Sequence, residues 1–136
     1  MTCTASLSQW LYEHDESPKR KHAWGERSAG FVSVRGALVG KCPAHMGISE
    51  AQEILDTALP FSSPRWHHDY PQRLYAVHDG VVYRATRTRP GVSYHGFPEH
   101  PSRFPEGRTG GLLKERLLQR ATELGCEQEV RRWMDW

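Results

Sequence analysis

The side chains best suited to chemistry lie close together, in the segment RLYAVHDGVVYRATRTRPGVSYHGFP that runs from Arg73 to Pro98. Metal-independent cleavage of RNA through a 2′,3′-cyclic phosphate needs a base, an acid and a cation that stabilises the charged phosphorane. Histidine exchanges protons near neutral pH, and arginine binds phosphate through a planar fork. We therefore predict three catalytic residues: His95 transfers protons, Arg84 stabilises charge and Tyr75 orients the phosphate.

These side chains meet only if the segment folds into adjacent strands. Asp79-Gly80 is typical of a hairpin turn, because both of its central positions need positive φ, and Thr88-Arg89-Pro90-Gly91 fits a second tight turn. Side chains alternate between the two faces of a strand. The segment is thus predicted to form a three-stranded antiparallel meander with one polar face. The residues on that face are Arg84, Thr86, Ser93 and His95.

The loop before the meander, from Phe61 to Pro71, is aromatic and rich in proline. Tryptophan and tyrosine rings can stack on bases, and a histidine in this loop can supply a second proton-transfer group. The loop either packs over a helix end or forms one rim of a cleft against the proline-rich residues 98–111. We favour the rim, because both loops leave the same end of the sheet. The predicted substrate-binding residues are Thr86, Ser93, Trp66, His67, His68, Tyr70 and Arg87.

Hydrophobic patterns predict the helices around the meander. Ser49 and Gln52 have the spacing of a capping box, at the start of a helix that ends by Pro60. Leucines at helical spacing predict a second helix from Leu112 to Leu124. A last short helix is predicted over Glu127–Met134.

The predicted fold class is α+β, with a small and mostly antiparallel sheet. The sheet is made of the three-strand meander 73–98 plus an N-terminal hairpin over Phe31–Lys41. All helices are expected to pack on one face of it. That face should be the one carrying Tyr83 and Tyr94, which leaves the polar face open.

Length and composition indicate one domain over residues 1–136. Residues 1–30 are expected to pack loosely and to include a short helix over Ala5–Glu13. No apolar run approaches the roughly 18 residues of a membrane span, and the N-terminus lacks the pattern of a secretory signal. Three cysteines without framework spacing indicate reduced thiols. We therefore predict a cytoplasmic protein without membrane association, or one delivered into a target cell by a signal-independent secretion system.

Arginine and histidine are concentrated between Arg65 and Arg108, where seven arginines and five of the eight histidines lie. This favours a small bacterial toxin-like effector that acts on RNA phosphodiesters as a metal-independent ribonuclease. The segment Tyr94-His95-Gly96-Phe97-Pro98 resembles the late strand of the small messenger-RNA-cutting toxins of bacterial toxin–antitoxin pairs. This chain has Glu99 and His100 where those toxins have lysines, and we transfer no residue role from the resemblance.

The alternative is a non-catalytic protein-binding module, such as an immunity protein, an antitoxin-like inhibitor or a secretion adaptor. Five tryptophans in 136 residues is a high count, and tryptophan and arginine are typical anchors of protein interfaces. Each tryptophan can equally fill the core of a small domain. The expected partner is thus RNA in the first case, and a cognate toxin or immunity protein in the second.

Two other chemistries are less consistent with the sequence. Cys42-x-x-His45, together with His67 and His68, has the residue types of a zinc site but lacks a closed four-ligand pattern. Glu127-x-Glu129 has the residue type that activates the acceptor in ADP-ribosyl transfer, but it lies on a predicted helix. We therefore predict that the chain binds neither a metal nor a cofactor.

Overall fold

The chain forms three α-helices and two β-sheets within residues 10–13 and 26–136, which the computed structural model describes. In chain order the elements are β1 (Leu11–Tyr12), β2 (Gly30–Val34), β3 (Ala37–Lys41), α1 (Ile48–Asp56), β4 (Leu59–Phe61), β5 (Arg73–His78), β6 (Val81–Arg89), β7 (Ser93–Pro98), a 3-10 turn (Pro101–Arg103), α2 (Gly107–Leu124) and α3 (Glu127–Met134). The predicted α+β class is confirmed. Among the described residues, no helix combines the length and apolarity needed to cross a bilayer.

Strands β5, β6 and β7 are antiparallel neighbours at the centre of a five-stranded sheet with the order β1-β7-β6-β5-β4. Asp79 and Gly80 both have positive φ, as the turn between β5 and β6 requires. Gly91 has positive φ in the turn between β6 and β7. The sheet is mixed, because β1 runs parallel to β7. The predicted layout is therefore matched in part, since the meander is the centre of a larger sheet.

Strands β2 and β3 form a separate two-stranded hairpin that turns at Arg35-Gly36, where both φ angles are positive. The end of the hairpin opposite this turn lies against the main fold. There the Phe31 ring stacks on Trp133 with 5.4 Å between centroids. A Cβ atom on Gly40 would stand 2.7 Å from the carbonyl oxygen of Pro98, so only glycine allows this approach of β3 to β7.

The predicted helix over Ala5–Glu13 is wrong where it can be compared, because Leu11–Tyr12 is a strand. Its residues 5–9 lie outside the described part of the chain, as do residues 14–25. Gln52 of α1 holds the strand: its side chain accepts a hydrogen bond from Tyr12 N (2.7 Å) and donates one to Trp10 O (3.1 Å). A tertiary hydrogen bond thus replaces the local capping role predicted for Gln52.

The prediction that all helices pack on one sheet face is wrong, because the sheet is covered on both. Helix α1 packs through Leu55 on the face that carries Ala85 and Tyr94, as predicted. Helix α2, through Leu113 and Leu117, packs with α3 on the opposite face. The core on that face contains Leu59, Tyr75, Val77, Val82, Leu113, Leu117, Ala121, Val130 and Met134.

The reason for two covered faces is visible in β5. Four successive residues, Leu74 to Val77, are buried. A continuous apolar run of this kind is typical of a strand covered on both sides, whereas a strand with one wet face alternates. Part of the face that we predicted to be polar is therefore buried in the core, where it contributes Tyr75, Val77 and Val82. Only the part of this face beyond Val82 on β6 remains available for a site.

Helix boundaries differ from the predicted ones at two N-termini. Helix α1 begins at Ile48 with Gly47 as N-cap and no side-chain cap, so the predicted role of Ser49 is wrong. Helix α2 begins at Gly107 and not at Leu112, and three glycines, Gly107, Gly110 and Gly111, lie within its first two turns. The predicted end at Leu124, followed by Gly125 in the left-handed conformation, is confirmed.

The two adjacent glycines of α2 give a matched stability test. A Cβ atom on Gly110 would overlap the carbonyl oxygen of Pro105, whereas one on Gly111 meets nothing within 4 Å. We expect Gly110→Ala to lower the free energy of unfolding by about 1–3 kcal/mol through overpacking. Gly111→Ala should raise it by roughly 0.5–1 kcal/mol, because alanine favours the helix. Urea unfolding of both variants checks this, and equal effects would contradict the predicted close approach of Pro105.

Candidate functional site: an arginine-lined cleft

A cleft with a volume of about 460 Å³ lies between β3 of the hairpin and the polar half of the meander. Its lining residues are Ala37, Leu38, Val39, Gly40, Gln72, Arg73, Arg84, Thr86, Arg87, His95, Phe97 and Arg103. Four of them are arginines, and none of these described lining residues is an aspartate or a glutamate. The cleft is therefore suited to an anionic ligand.

Arg84 forms the floor of the cleft and is only 9% exposed. Its guanidinium lies over the Phe97 ring, 4.9 Å from the centroid. Burial lowers the pKa of Arg84, and nearby Glu99 partly opposes this effect. The buried Nε atom has no hydrogen-bond partner among the described residues. A buried arginine nitrogen without a hydrogen-bond partner lowers the stability of the fold, unless a ligand supplies the partner.

Beneath Arg84 lies a fully buried carboxylate, that of Glu99. Its Oε1 is 3.7 Å from Nε of Arg84, too far for a hydrogen bond. Its Oε2 accepts a hydrogen bond of 2.9 Å from the hydroxyl of Tyr75. That hydroxyl in turn accepts one of 3.0 Å from Nη1 of Arg73. Burial, followed by the charge of Glu99, raises the pKa of Tyr75 well above its ordinary value.

His95 faces the cleft from β7, directly opposite Thr86 of β6. A bulge between Arg87 and Arg89 brings a second threonine into reach. The Nε2 atom of His95 lies 3.3 Å from the Thr86 hydroxyl and the Nδ1 atom 2.8 Å from the Thr88 hydroxyl. Hydroxyls both donate and accept, so this pair fixes the imidazole plane in either tautomer.

The aromatic loop lies beside the cleft and is joined to it by Arg87. The guanidinium of Arg87, which also lines the cleft, lies 5.3 Å from the ring centroid of Trp66. The indole Nε1 donates a hydrogen bond of 2.6 Å to Tyr70 O, which fixes the ring. The His68 ring stacks on Tyr70 with centroids 5.2 Å apart and is exposed. Three fixed rings thus stand next to an arginine of the cleft.

The structure brings some of the predicted site residues together and separates others. Arg84, Thr86, His95 and Arg87 line one cleft. Tyr75 lies below the cleft, and its hydroxyl is bonded to Glu99. Ser93 is fully buried beside β1, and its hydroxyl has no hydrogen-bond partner among the described residues. His67 is exposed in the loop and does not line the cleft.

The sequence prediction missed the β3 wall and several polar residues of the site, namely Gln72, Arg73, Thr88, Glu99 and Arg103. Arg73 had a signal, because alternation along β5 places it on the same face as Tyr75. Arg103 and Glu99 had none, since their positions depend on the path of the chain after β7.

No protein-family model, curated protein or solved structure matches this chain. The cleft itself is therefore the evidence for a function.

The cysteine and histidines considered for zinc are not gathered at the cleft. Within the described residues, no group of three or more His, Cys, Asp or Glu side chains could hold a metal ion. Cys42 lies instead on the other side of the sheet, in a small apolar cavity with Leu55 and Ala85. Burial raises the pKa of the Cys42 thiol to about 12. Its thiol lies 3.6 Å from Gly96 O, to which it donates a weak hydrogen bond.

Proposed function

We propose that this chain binds RNA in the arginine-lined cleft and cleaves it without a metal, as a small toxin-like ribonuclease. The observation that carries the proposal is Arg84, a nearly buried arginine whose Nε has no hydrogen-bond partner among the described residues. It lies among three further arginines, with no carboxylate on the described cleft wall. A phosphodiester supplies the acceptor oxygens that a guanidinium fork binds in a bidentate manner.

His95 is the proposed proton-transfer residue. The neutral imidazole exchanges its longer contact, from Nε2 to the Thr86 hydroxyl, for one with the ribose 2′-hydroxyl and takes that proton. The 2′-oxygen forms a bond to phosphorus while the bond to the 5′-oxygen breaks. The leaving oxygen takes a proton from water in the open cleft, so the products are a 2′,3′-cyclic phosphate and a 5′-hydroxyl. Arg84 lines the same cleft as His95, which supports a role for its guanidinium in stabilising the negative charge of the phosphorane.

The aromatic loop favours RNA with unpaired bases over a small anion. Trp66, His68 and Tyr70 offer rings that the loop already holds in place, which reduces the entropy lost on binding. Stacking of a base on such rings contributes about 1–3 kcal/mol. Arg87 joins these rings to the cleft, so a phosphate and the neighbouring base can be bound together.

The partner-binding alternative draws less support from the tryptophans than their number suggests. Trp10 contacts Tyr94 edge-on, with 5.5 Å between ring centroids. Trp133 stacks on Phe31, and Trp136 packs edge-on against Phe104. These three tryptophans are used for packing within the chain, so their number does not indicate an interface.

The test of the proposed function is cleavage of single-stranded RNA in the presence of a chelator. We expect His95→Ala to reduce cleavage at least a hundredfold, the usual contribution of a positioned acid–base group, while RNA binding changes little. His45→Ala, which removes an exposed histidine outside the cleft, is the matched control and should cleave normally. Equal cleavage by wild type and His95→Ala, or none by either over a wide range of RNAs, would reject the ribonuclease proposal. Growth arrest on expression of wild type alone would support toxin-like action in the cytoplasm.

A further inference from the structure

The carboxylate of Glu99 is connected to two of the cleft arginines, Arg73 of β5 and Arg84 of β6. It is ion-paired with Arg84 directly, at 3.7 Å. It is connected to Arg73 through Tyr75, whose hydroxyl donates to Glu99 and accepts from Arg73. One buried negative charge beneath the floor thus faces two positive side chains that line the cleft.

Hydrogen bonds hold both the side chain and the main chain of Glu99 in place. Its Oε1 accepts a hydrogen bond of 3.2 Å from the backbone N of His100. Its main-chain oxygen accepts one of 2.9 Å from the indole of Trp133 in α3. Its backbone N donates one of 2.8 Å to Val82 O. The main chain of Glu99 is therefore held by β6 and α3, and its carboxylate by Tyr75 of β5 and the backbone N of His100. An arginine side chain alone, by contrast, has many rotamers.

We propose that Glu99 is a positioning residue, which holds Arg84 directly and Arg73 through Tyr75 in the orientation that binds a phosphodiester. The inference rests on the proposed function of the cleft. Side chains that are held in the bound orientation before the ligand arrives lose less entropy on binding. Glu99 touches no ligand in this scheme, because it is fully buried and does not line the cleft.

A double-mutant cycle with Tyr75 tests the indirect branch. Tyr75→Phe removes the hydroxyl and keeps the ring between Phe61 and Phe104. In a chain that keeps Arg73, we expect Tyr75→Phe to weaken the binding of a short single-stranded RNA roughly fivefold, which is the effect of losing one hydrogen bond. In an Arg73→Ala background the same change should have almost no effect. Equal losses in both backgrounds would overturn the proposed link, since a purely structural role is independent of Arg73. Tyr83→Phe, a buried tyrosine on the opposite face, is the control.

The arginine side chains can be observed without RNA, which separates this inference from the proposed function. The NMR signals of the Nε–Hε groups report the surroundings of each guanidinium. Glu99→Gln keeps the size of the side chain and removes its charge, so it should shift the signals of both Arg73 and Arg84. Tyr75→Phe should shift that of Arg73 and leave Arg84 nearly unchanged. If Glu99→Gln leaves both signals in place, the positioning role is wrong; if the signals shift but wild type binds no RNA, only the proposed function is wrong.

Discussion

Glu99→Leu should lower the free energy of unfolding by about 3–5 kcal/mol, the largest stability effect we expect in this chain. The change leaves the buried guanidinium of Arg84 without its counter-charge, and removal of one partner from a buried ion pair has a cost of this size. It also leaves the Tyr75 hydroxyl without its acceptor. Urea unfolding followed by tryptophan fluorescence measures the difference. Glu115→Leu, on the exposed side of α2, is the control and should change stability by less than about 0.5 kcal/mol.

The double variant Glu99→Leu with Arg84→Met decides whether the uncompensated charge causes that loss. Replacement of both members of a buried ion pair by apolar residues is often neutral or stabilising. We therefore expect the double variant to recover more than half of the stability lost by Glu99→Leu alone. It should still fail to bind RNA, because the floor of the cleft has lost its guanidinium. Equal stability of the single and double variants would show that the ion pair is not the cause.

Arg84→Lys should reduce RNA affinity by about 10-fold to 100-fold while the fold is retained. Lysine keeps the positive charge but loses the planar fork that binds two phosphate oxygens, and a hydrogen bond to a charged group contributes about 1.5–3 kcal/mol. Fluorescence anisotropy of a labelled single-stranded RNA at fixed salt measures the change. Arg116→Lys, an exposed arginine of α2 outside the cleft, should bind like wild type. If the affinity of Arg84→Lys for RNA lies within twofold of that of the wild type, a positive charge alone is sufficient for RNA binding at this position.

The part of the site that the sequence predicted follows from local rules. Turn chemistry at Asp79-Gly80 and alternation along β6 and β7 were enough to place Arg84, Thr86 and His95 on one face. These rules act over a few residues, so neither tertiary packing nor chain path can change them much. The convergence of these three side chains could therefore be predicted without a structure.

The rest depended on how distant elements pack. The sequence contains a continuous apolar run from Leu74 to Val77. This run indicates a sheet covered on both faces, but we predicted helices on one face only. Neither pattern nor spacing indicates that Glu99 lies beneath Arg84, because its position follows from hydrogen bonds to Val82 of β6 and Trp133 of α3. The position of β3 as a wall of the cleft was not predicted either, because the turn residues of a hairpin do not determine where the hairpin packs.

The hairpin that forms this wall is attached at one end. Phe31 and Gly40, which pair across β2 and β3, make the contacts with Trp133 and Pro98. At the other end, Val34 to Ala37 are exposed. The wall is therefore supported at the end next to Pro98 and exposed to solvent at its tip. If the cleft binds RNA as proposed, bases of different size would meet the wall at its exposed tip, and the sheet that holds Arg84 and His95 would keep its position.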